Sequence, residues 1–148
     1  MLVNIYTYQT LRGNRRSGAG AYVLEGIWGA SRNPETRQGT LIFENETENG
    51  AELETFLAAL RRLSGTARLV VYTESGYLAA GLETYLSRWQ ESGWKTAKGQ
   101  EIAHADKWQE IAAIFEKYRL TPEVFAMEKH SYRNWLIQEA ERNAQKGA

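Results

Sequence analysis

The sequence predicts an α/β fold in which a five-stranded mixed sheet carries helices on both faces. Three observations predict it. The N-terminal part of the chain holds three strand-like segments joined by connections rich in glycine and asparagine. Apolar residues then recur with the spacing of an amphipathic helix. After that, strand-like and helix-like segments alternate, which gives the order βββαβααβα along the chain.

The first three strands are predicted from segments that are rich in β-branched and aromatic residues. These segments are Val3–Tyr8, Gly20–Trp28 and Gln38–Glu44. Because short turns join antiparallel neighbours, we expect the three strands to form consecutive hairpins.

The first helix is predicted by an apolar stripe with i, i+3, i+4 and i+7 spacing. Its members are Leu53, Phe56, Leu57, Leu60 and Leu63, and Gly65 follows them as a helix-ending residue. The remaining elements are a buried strand, two helices, a last strand and a terminal helix. In that order they span Arg68–Thr73, Ser75 to about Gln90, about Asp106 to Tyr118, Pro122–Met127 and Trp135 to about Gln145.

Composition limits the class of protein. The chain has 148 residues, of which 43% are hydrophobic, so we expect one domain spanning residues 1–148 with a sizeable core. No apolar run approaches the ~20 residues of a membrane-spanning helix. We expect no secretory signal, because the start of the chain lacks a basic segment leading into an apolar one. There are no cysteines, which excludes disulfides and cysteine-ligated metal sites and suits a cytoplasmic protein.

The 18 basic and 18 acidic residues cancel. A dedicated nucleic-acid-binding protein is usually basic, because neutralisation of phosphates supplies much of its affinity. We therefore expect any contact with nucleic acid to be weak, local or absent.

The strand ends indicate where a functional site lies. In sheets of this kind, ligands usually bind outside the carboxyl ends of central strands. The first strand ends at Tyr8, and the fourth ends at Thr73 with Glu74 directly after it. This placement does not by itself indicate a reaction.

Four stretches of the chain resemble type 1 ribonuclease H. They are Ile5-Tyr6-Thr7, Glu48-Asn49-Gly50-Ala51-Glu52-Leu53, Tyr72-Thr73-Glu74-Ser75-Gly76-Tyr77 and Trp89-Gln90-Glu91-Ser92-Gly93-Trp94-Lys95-Thr96-Ala97. The last stretch, which Asp106-Lys107-Trp108 follows, is similar to the handle region of the longer bacterial enzymes. The order and spacing of the four stretches carry the resemblance, which covers nearly the whole chain and implies the ribonuclease H-like fold.

The resemblance implies a metal-dependent activity. Members of the family hydrolyse the RNA strand of RNA–DNA hybrids with two Mg²⁺ or Mn²⁺ ions held by four carboxylates. Here Glu52 and Glu74 match two of the four positions, whereas Tyr8 and Gln138 stand at the other two, so the formal ligand charge falls from −4 to −2. Two cations about 3.5–4 Å apart repel each other unless several negative ligands surround them. We therefore expect at most one weakly bound cation, held by Glu52 and Glu74.

Each of these residues has a second interpretation. Glu52 and Glu74 form either a shared cation site or an idle pair of solvated carboxylates. Tyr8 either fills the space between Glu52, Glu74 and Gln138, where its hydroxyl group needs a carboxylate partner, or stacks on a base. His130 either matches the family's mobile histidine, which assists proton transfer or product release, or is a polar loop residue.

The resemblance also implies contacts with nucleic acid. Asn14 and Asn49 match positions that contact the minor groove. Arg12, Arg15 and Arg16 form one basic cluster in the first loop. These arginines either contact phosphates or are merely solvent-exposed side chains of a turn.

The handle has lost most of the lysines that the family uses for affinity. Trp94 and Lys95 remain as candidate contacts. Trp89, Trp94 and Trp108 either form the small core of the handle or stack on bases.

The sequence therefore predicts a ribonuclease H-like domain with impaired catalysis, which binds RNA–DNA hybrid or duplex RNA weakly through shape and backbone contacts. The first alternative is an active hybrid ribonuclease with an altered ligand set around Glu52 and Glu74. Glu48 and Glu139 lie beside the site positions, and rescue by either would need a rearranged geometry. The second alternative is a protein–protein interaction module whose partner is unknown. No association with a membrane is expected.

Overall fold

The computed structural model describes residues 1–27, 33–126 and 129–146, and within these ranges five strands form one mixed sheet. In chain order they are β1 (Leu2–Gln9), β2 (Gly18–Ile27), β3 (Glu35–Phe43), β4 (Arg68–Thr73) and β5 (Glu123–Ala126). The sheet order is β3-β2-β1-β4-β5, with β2 antiparallel to both of its neighbours and β4 parallel to both of its own. The predicted α/β class and mixed sheet are confirmed.

Strand β1 lies at the centre of the sheet and buries side chains on both faces. Val3 and Ile5 enter the larger hydrophobic cluster, whereas Tyr6 enters a smaller cluster on the opposite face. β1 pairs with β4 in parallel, with Tyr6 opposite Tyr72. The two strands therefore end at the same edge of the sheet, and Tyr8 and Glu74 follow this pair by two residues each.

Helices lie on both faces of the sheet, as predicted. Those in the described residues are α1 (Glu48–Leu60), α2 (Gly76–Ala80), α3 (Leu86–Glu91), α4 (Ala105–Tyr118) and α5 (Arg133–Lys146). α1 and α4 pack their apolar residues into the larger cluster, and α5 packs Leu136 and Ala140 into the smaller one. Among the described residues, no helix combines the length and the apolar character that crossing a membrane requires.

Hydroxyl side chains cap the two helices that begin at the edge where β1 and β4 end. Thr47 precedes α1, and its Oγ1 accepts a hydrogen bond from the amide of Gly50 at 3.0 Å. Ser75 precedes α2, and its Oγ accepts one from the amide of Leu78 at 3.0 Å. Each hydroxyl group satisfies an amide that has no partner within its own helix. The first turns of α1 and α2 are thereby held in place.

A π-helical turn (Gly81–Tyr85) separates α2 from α3, so the one long helix predicted over this stretch is interrupted. Gly81 lies against the indole ring of Trp108, and a Cβ atom on Gly81 would stand 2.2 Å from Cη2 of that ring. Trp108 is fully buried, and its Nε1 donates a hydrogen bond to the hydroxyl of Tyr77 at 2.9 Å. Apolar spacing did not predict this close approach, because it depends on how the backbone meets a helix far along the chain.

Several element boundaries differ from the prediction; β2, for example, begins at Gly18 rather than at Gly20, and α5 begins at Arg133 rather than at Trp135. β3 begins at Glu35 rather than at Gln38, because its first residues are exposed and polar and carry no apolar signal. α1 ends at Leu60, so Leu63 joins the core from the turn that follows the helix. Two predicted strand ends lie outside the described residues: Trp28 and Met127.

The contact between Gly81 and Trp108 predicts the effect of Gly81→Ala. The added methyl group overlaps the buried ring, so the variant should lose about 1–3 kcal/mol of unfolding free energy. Urea denaturation measures this loss. Gly65→Ala is the matched control, because a Cβ atom there meets nothing within 4 Å. Equal stabilities of the two variants would contradict the packing described for the π-helical turn.

Candidate functional site

A cavity of about 310 Å³ opens at the edge of the sheet where β1 and β4 end. Residues from β1 and its following loop, from the start of α1 and from the β4–α2 connection line it: Thr7, Tyr8, Gln9, Arg12, Glu48, Asn49, Glu52, Glu74, Ser75, Gly76 and Tyr77. The cavity lies where the strand ends predict a site. It brings Tyr8, Glu52 and Glu74 together from three separate parts of the chain.

Glu52 is a buried carboxyl group enclosed by hydroxyl groups from two strands. The residue is only 5% exposed. Thr7 of β1 donates to its Oε1 at 3.3 Å, and Thr73 of β4 donates to the same atom at 3.1 Å. Burial raises the pKa of Glu52, and hydrogen bonds from Thr73, Gln9 and Thr7 only partly oppose this rise. Glu52 thus ties α1 to both central strands.

Glu74 is paired with Arg133, the first residue of α5. Nε of Arg133 donates to Oε1 of Glu74 at 2.5 Å, and both side chains are partly exposed. A cation in the first turn of a helix is unfavourable, because it lies at the positive end of the helix dipole, whereas a carboxylate there is favourable. Glu74 therefore offsets the charge of Arg133 at the N-terminus of α5.

Tyr8 lines the cavity from the face of the sheet that α5 covers. Its ring packs against the smaller hydrophobic cluster, and the guanidinium carbon of Arg12 lies 5.5 Å from the ring centroid. Its hydroxyl group forms no hydrogen bond with any described residue. The expected carboxylate partner is missing because Glu52 approaches from the other face of β1 and Glu74 is paired with Arg133.

Gln138 does not line the cavity, although the sequence places it at one of the four carboxylate positions. It is exposed on α5, because Leu136 and Ala140 take the side of the helix that faces the sheet. Gln138 therefore does not bound the cavity that Tyr8 lines.

His130 also lies outside the cavity lining. Its ring packs on those of Tyr6 and Tyr72, with centroid distances of 4.6 Å and 5.7 Å. Its Nδ1 accepts a hydrogen bond from the amide of Tyr132 at 3.2 Å. Burial lowers the pKa of His130, and the nearby Glu74 opposes this shift. Its contacts are those of a packed loop residue on the α5 face.

The predicted nucleic-acid contacts in the first loop and at the start of α1 divide into two groups. Arg12 lines the cavity together with Asn49, which belongs to the first turn of α1. Asn14, Arg15 and Arg16 are exposed in the loop and do not line this cavity.

The handle residues are arranged around a local core. Trp94 packs against the larger hydrophobic cluster, and the rings of Trp89 and Trp108 lie 5.2 Å apart. Lys95 is exposed. These contacts favour packing over base stacking as the role of the tryptophans.

Sequence reasoning did not select Arg133, Gln9 and Tyr77, which take part in the site or line it. For Arg133 a signal exists in the sequence. A basic residue just before the predicted start of a helix lacks support from the dipole, so it needs an acidic partner. Gln9 follows Tyr8 directly, and Tyr77 ends one of the stretches that resemble the family, but residue type alone did not identify either as a site residue.

Comparison with known sequences agrees with this architecture. The family model for RNase H matches residues 2–131. Ribonuclease H of Cupriavidus pinatubonensis is 32% identical over 121 residues, which cover 80% of this chain and 78% of that protein. Ribonuclease H of Nitrosococcus oceani is also 32% identical over 121 residues, which cover 80% of this chain and 77% of that protein.

Solved structures share the fold at lower sequence identity. LC9-RNase H1, described as a type 1 RNase H with the type 2 active-site motif, has a TM-score of 0.77 at 20% identity, covering 99% of this chain and 74% of that one. LC11-RNase H1 in complex with an RNA/DNA hybrid has a TM-score of 0.60 at 20% identity, covering 97% and 99%.

The sheet order, the helices on both faces and the cavity at the ends of β1 and β4 therefore agree with the sequence matches. The chain belongs to the RNase H family.

Proposed function

We propose that this domain is an RNase H family member with impaired catalysis, which binds RNA–DNA hybrid or duplex RNA weakly at the cavity where β1 and β4 end. One observation carries the proposal. Both carboxylates that remain from the family's set of four are engaged within the protein, Glu52 by hydroxyl groups and Glu74 by Arg133. We assign this role to the cytoplasm because the sequence has no cysteine.

The residues of the cavity do not fit a pair of divalent cations. Magnesium takes oxygen ligands in octahedral geometry, and two adjacent cations need several negative ligands. Tyr8 offers a phenol in place of a carboxylate, and Gln138 points to solvent on α5. In the part of the chain that the structure describes, no three histidine or acidic side chains are grouped to hold a metal ion. This arrangement supports at most weak binding of one Mg²⁺ or Mn²⁺.

Polar groups around the cavity support binding of a nucleic acid. Arg12 and Asn49 line it, and Asn14 lies in the adjoining loop. Guanidinium and amide groups donate hydrogen bonds to phosphate and sugar oxygens without reading the base sequence. LC11-RNase H1, which shares the fold, was solved with an RNA/DNA hybrid. Because Glu48 and Glu74 also line the cavity, we expect low affinity that falls further with salt.

A second candidate is an active hybrid ribonuclease with an altered ligand set. Glu48 favours it, because this third carboxylate lines the same cavity as Glu52 and Glu74. Oε2 of Glu48 accepts a hydrogen bond from the amide of Gly13 at 3.2 Å, in an exposed setting that leaves the group accessible. Cleavage by this set requires Glu74 to leave Arg133 and Glu52 to ionise.

Assays with labelled RNA–DNA hybrid, duplex RNA and duplex DNA distinguish the two functions. Impaired catalysis predicts salt-sensitive binding of hybrid or duplex RNA and no cleavage in magnesium or manganese. An active ribonuclease H relative serves as the positive control for cleavage. Cleavage by the wild-type protein that Glu48→Gln abolishes would select the active ribonuclease instead. Absence of both binding and cleavage would contradict both functions and leave the protein–protein interaction module.

Removing the positive charge of Arg133 and placing a carboxylate at position 8 should create a metal site. We expect Tyr8→Asp with Arg133→Gln to be less stable than the wild type without metal, because it gathers unpaired carboxylates. Magnesium or manganese should then recover the stability by binding the native state. Either substitution alone should do much less, because charges that act as a unit are non-additive. Differential scanning calorimetry with and without metal measures both effects.

The matched control for this experiment is Tyr8→Asp with Arg142→Gln. Arg142 lies on the same helix as Arg133 but pairs with Glu139, away from the cavity. If magnesium stabilises the wild-type protein as much as it stabilises Tyr8→Asp with Arg133→Gln, that result would show that Arg133 does not compete with a cation.

The burial of Glu52 predicts a dependence of stability on pH. Because burial raises its pKa above the ordinary value of 4.5, the folded protein holds this proton more tightly than the unfolded chain. The stabilising contribution of the protonated carboxyl group is complete below about pH 4.5 and is lost as the pH rises through the raised pKa.

Glu52→Gln removes this titration. The unfolding free energy of the wild type relative to the variant should therefore fall as the pH rises from about 4 to about 8. Urea denaturation across this range measures the difference, with Glu44→Gln at an exposed position as the control for loss of a carboxylate. A difference that rises with pH would show that Glu52 is stabilised as the ion.

A further inference from the structure

A second cavity, of about 330 Å³, lies between the β1–β2 loop and α5. Tyr8 and Arg12 line both cavities, so these two side chains stand between them. Arg15 from the loop and Glu141 and Gln145 from α5 also line the second cavity. The lining thus contains two arginines and one glutamate, so the formal charge of these residues is positive.

Arg12 is held in place from two sides. Its Nη1 donates hydrogen bonds to the backbone oxygens of Gln9 at 2.7 Å and of Leu11 at 2.6 Å. Its guanidinium group also lies over the ring of Tyr8. Nε and Nη2 of Arg12 form no hydrogen bond with the described residues. A guanidinium group that is fixed in this way loses little conformational freedom when it binds an anion.

The loop that carries Arg15 is tied down as well. The amide of Arg15 donates to the backbone oxygen of Arg12 at 3.1 Å, and the amide of Glu46 donates to that of Arg16 at 2.9 Å. Among the described residues, neither Arg12 nor Arg15 forms an ion pair, and Glu141 is not within ion-pair distance of either. The side chain of Arg12 is thus held by its own contacts and Arg15 is held by its backbone, and neither arginine has a carboxylate bound to it among the described residues.

We propose that this second cavity binds a phosphate group of a nucleotide. Guanidinium groups bind phosphate oxygens through charge-assisted hydrogen bonds, often in pairs, and the side-chain amide of Gln145 offers a further donor. The cavity is larger than a phosphate needs, so an attached nucleoside has room. The shared chemistry is the phosphate group, which comes either from a free nucleotide or from the backbone of a strand.

Phosphate binding here does not depend on hybrid binding at the first cavity. The two cavities lie on different sides of Tyr8, and Glu52, Glu74 and Asn49 line only the first. Amide resonances of Gln145 and Arg15 therefore report on the second cavity, and those of Asn49 and Ser75 report on the first. Failure at one cavity is distinguishable from failure at the other.

Nuclear magnetic resonance titration of the full chain tests the proposal with three probes. They are inorganic phosphate, a nucleoside 5′-monophosphate and a short single-stranded RNA without terminal phosphates. We expect these phosphate-containing probes to shift the resonances of Arg15 and Gln145 in a saturable way. Saturation by the monophosphate alone assigns the site to free nucleotides, and saturation by the RNA as well assigns it to a strand backbone; either result supports phosphate binding.

Substitutions of two arginines in the same loop distinguish a defined phosphate site from diffuse electrostatic attraction. Arg15→Gln removes a positive charge inside the cavity, whereas Arg16→Gln removes one outside it. We expect Arg15→Gln to weaken phosphate binding by about tenfold or more, because it removes charge-assisted hydrogen bonds. Arg16→Gln should weaken it by less than about threefold at ~0.1 M salt, where exposed charges are screened. Glu141→Gln should tighten binding.

Two results would overturn the proposal. Equal weakening by Arg15→Gln and Arg16→Gln would show a diffuse electrostatic attraction without a site. No saturable shift of Arg15 or Gln145 with any of the three probes would show that the cavity does not bind phosphate. Both loop arginines are exposed, so neither substitution should prevent folding, and thermal unfolding of each variant checks this.

Discussion

The parallel pairing of β1 with β4 is the constraint on which the rest of the structure depends. It places Tyr6 opposite Tyr72, so both strands end at one edge of the sheet. Thr7 and Thr73 then face the same way and donate to one oxygen of Glu52. A shift of either strand by one residue would turn these hydroxyl groups to the other face. The register therefore fixes the first cavity, the burial of Glu52 and the attachment of α1 to the sheet.

The charges around the first cavity are balanced by the protein itself. A buried carboxylate is costly without hydrogen-bond donors, and Glu52 has donors on both central strands. Glu74 has its counter-ion in Arg133, which α5 brings to the edge of the sheet. In the family that this chain belongs to, metal ions held by carboxylates carry the reaction. In this structure, hydroxyl groups contact Glu52 and one arginine contacts Glu74.

Much of the fold followed from the sequence because it depends on local patterns. The β4 strand was predicted over Arg68–Thr73 and is found there, since a short apolar run between polar residues has few other interpretations. The neighbourhood of Tyr8 and Glu74 also followed, because ligands of such sheets usually bind outside the carboxyl ends of central strands. These conclusions needed only the order of the elements and the positions of their ends.

The remaining features depend on the direction in which individual side chains point. Gln138 was placed at the site by its position in the chain, but the rotation of α5 about its axis turns it to solvent. His130 was matched by type, but aromatic rings offer it a packed position on the α5 face. Arg133 reaches Glu74 only because α5 begins where β4 ends. Helix rotation and loop path are set by packing between distant segments, which residue spacing does not record.

The most direct test of the account is to follow the side-chain carboxyl ¹³C resonances of Glu52 and Glu74 while magnesium is added to the wild-type protein. If Arg133 pairs with Glu74 and burial disfavours ionisation of Glu52, both resonances should stay in place up to millimolar magnesium, with at most a weak shift of Glu74. Saturable shifts of both resonances at lower magnesium, as two bound cations would cause, would contradict the central claim.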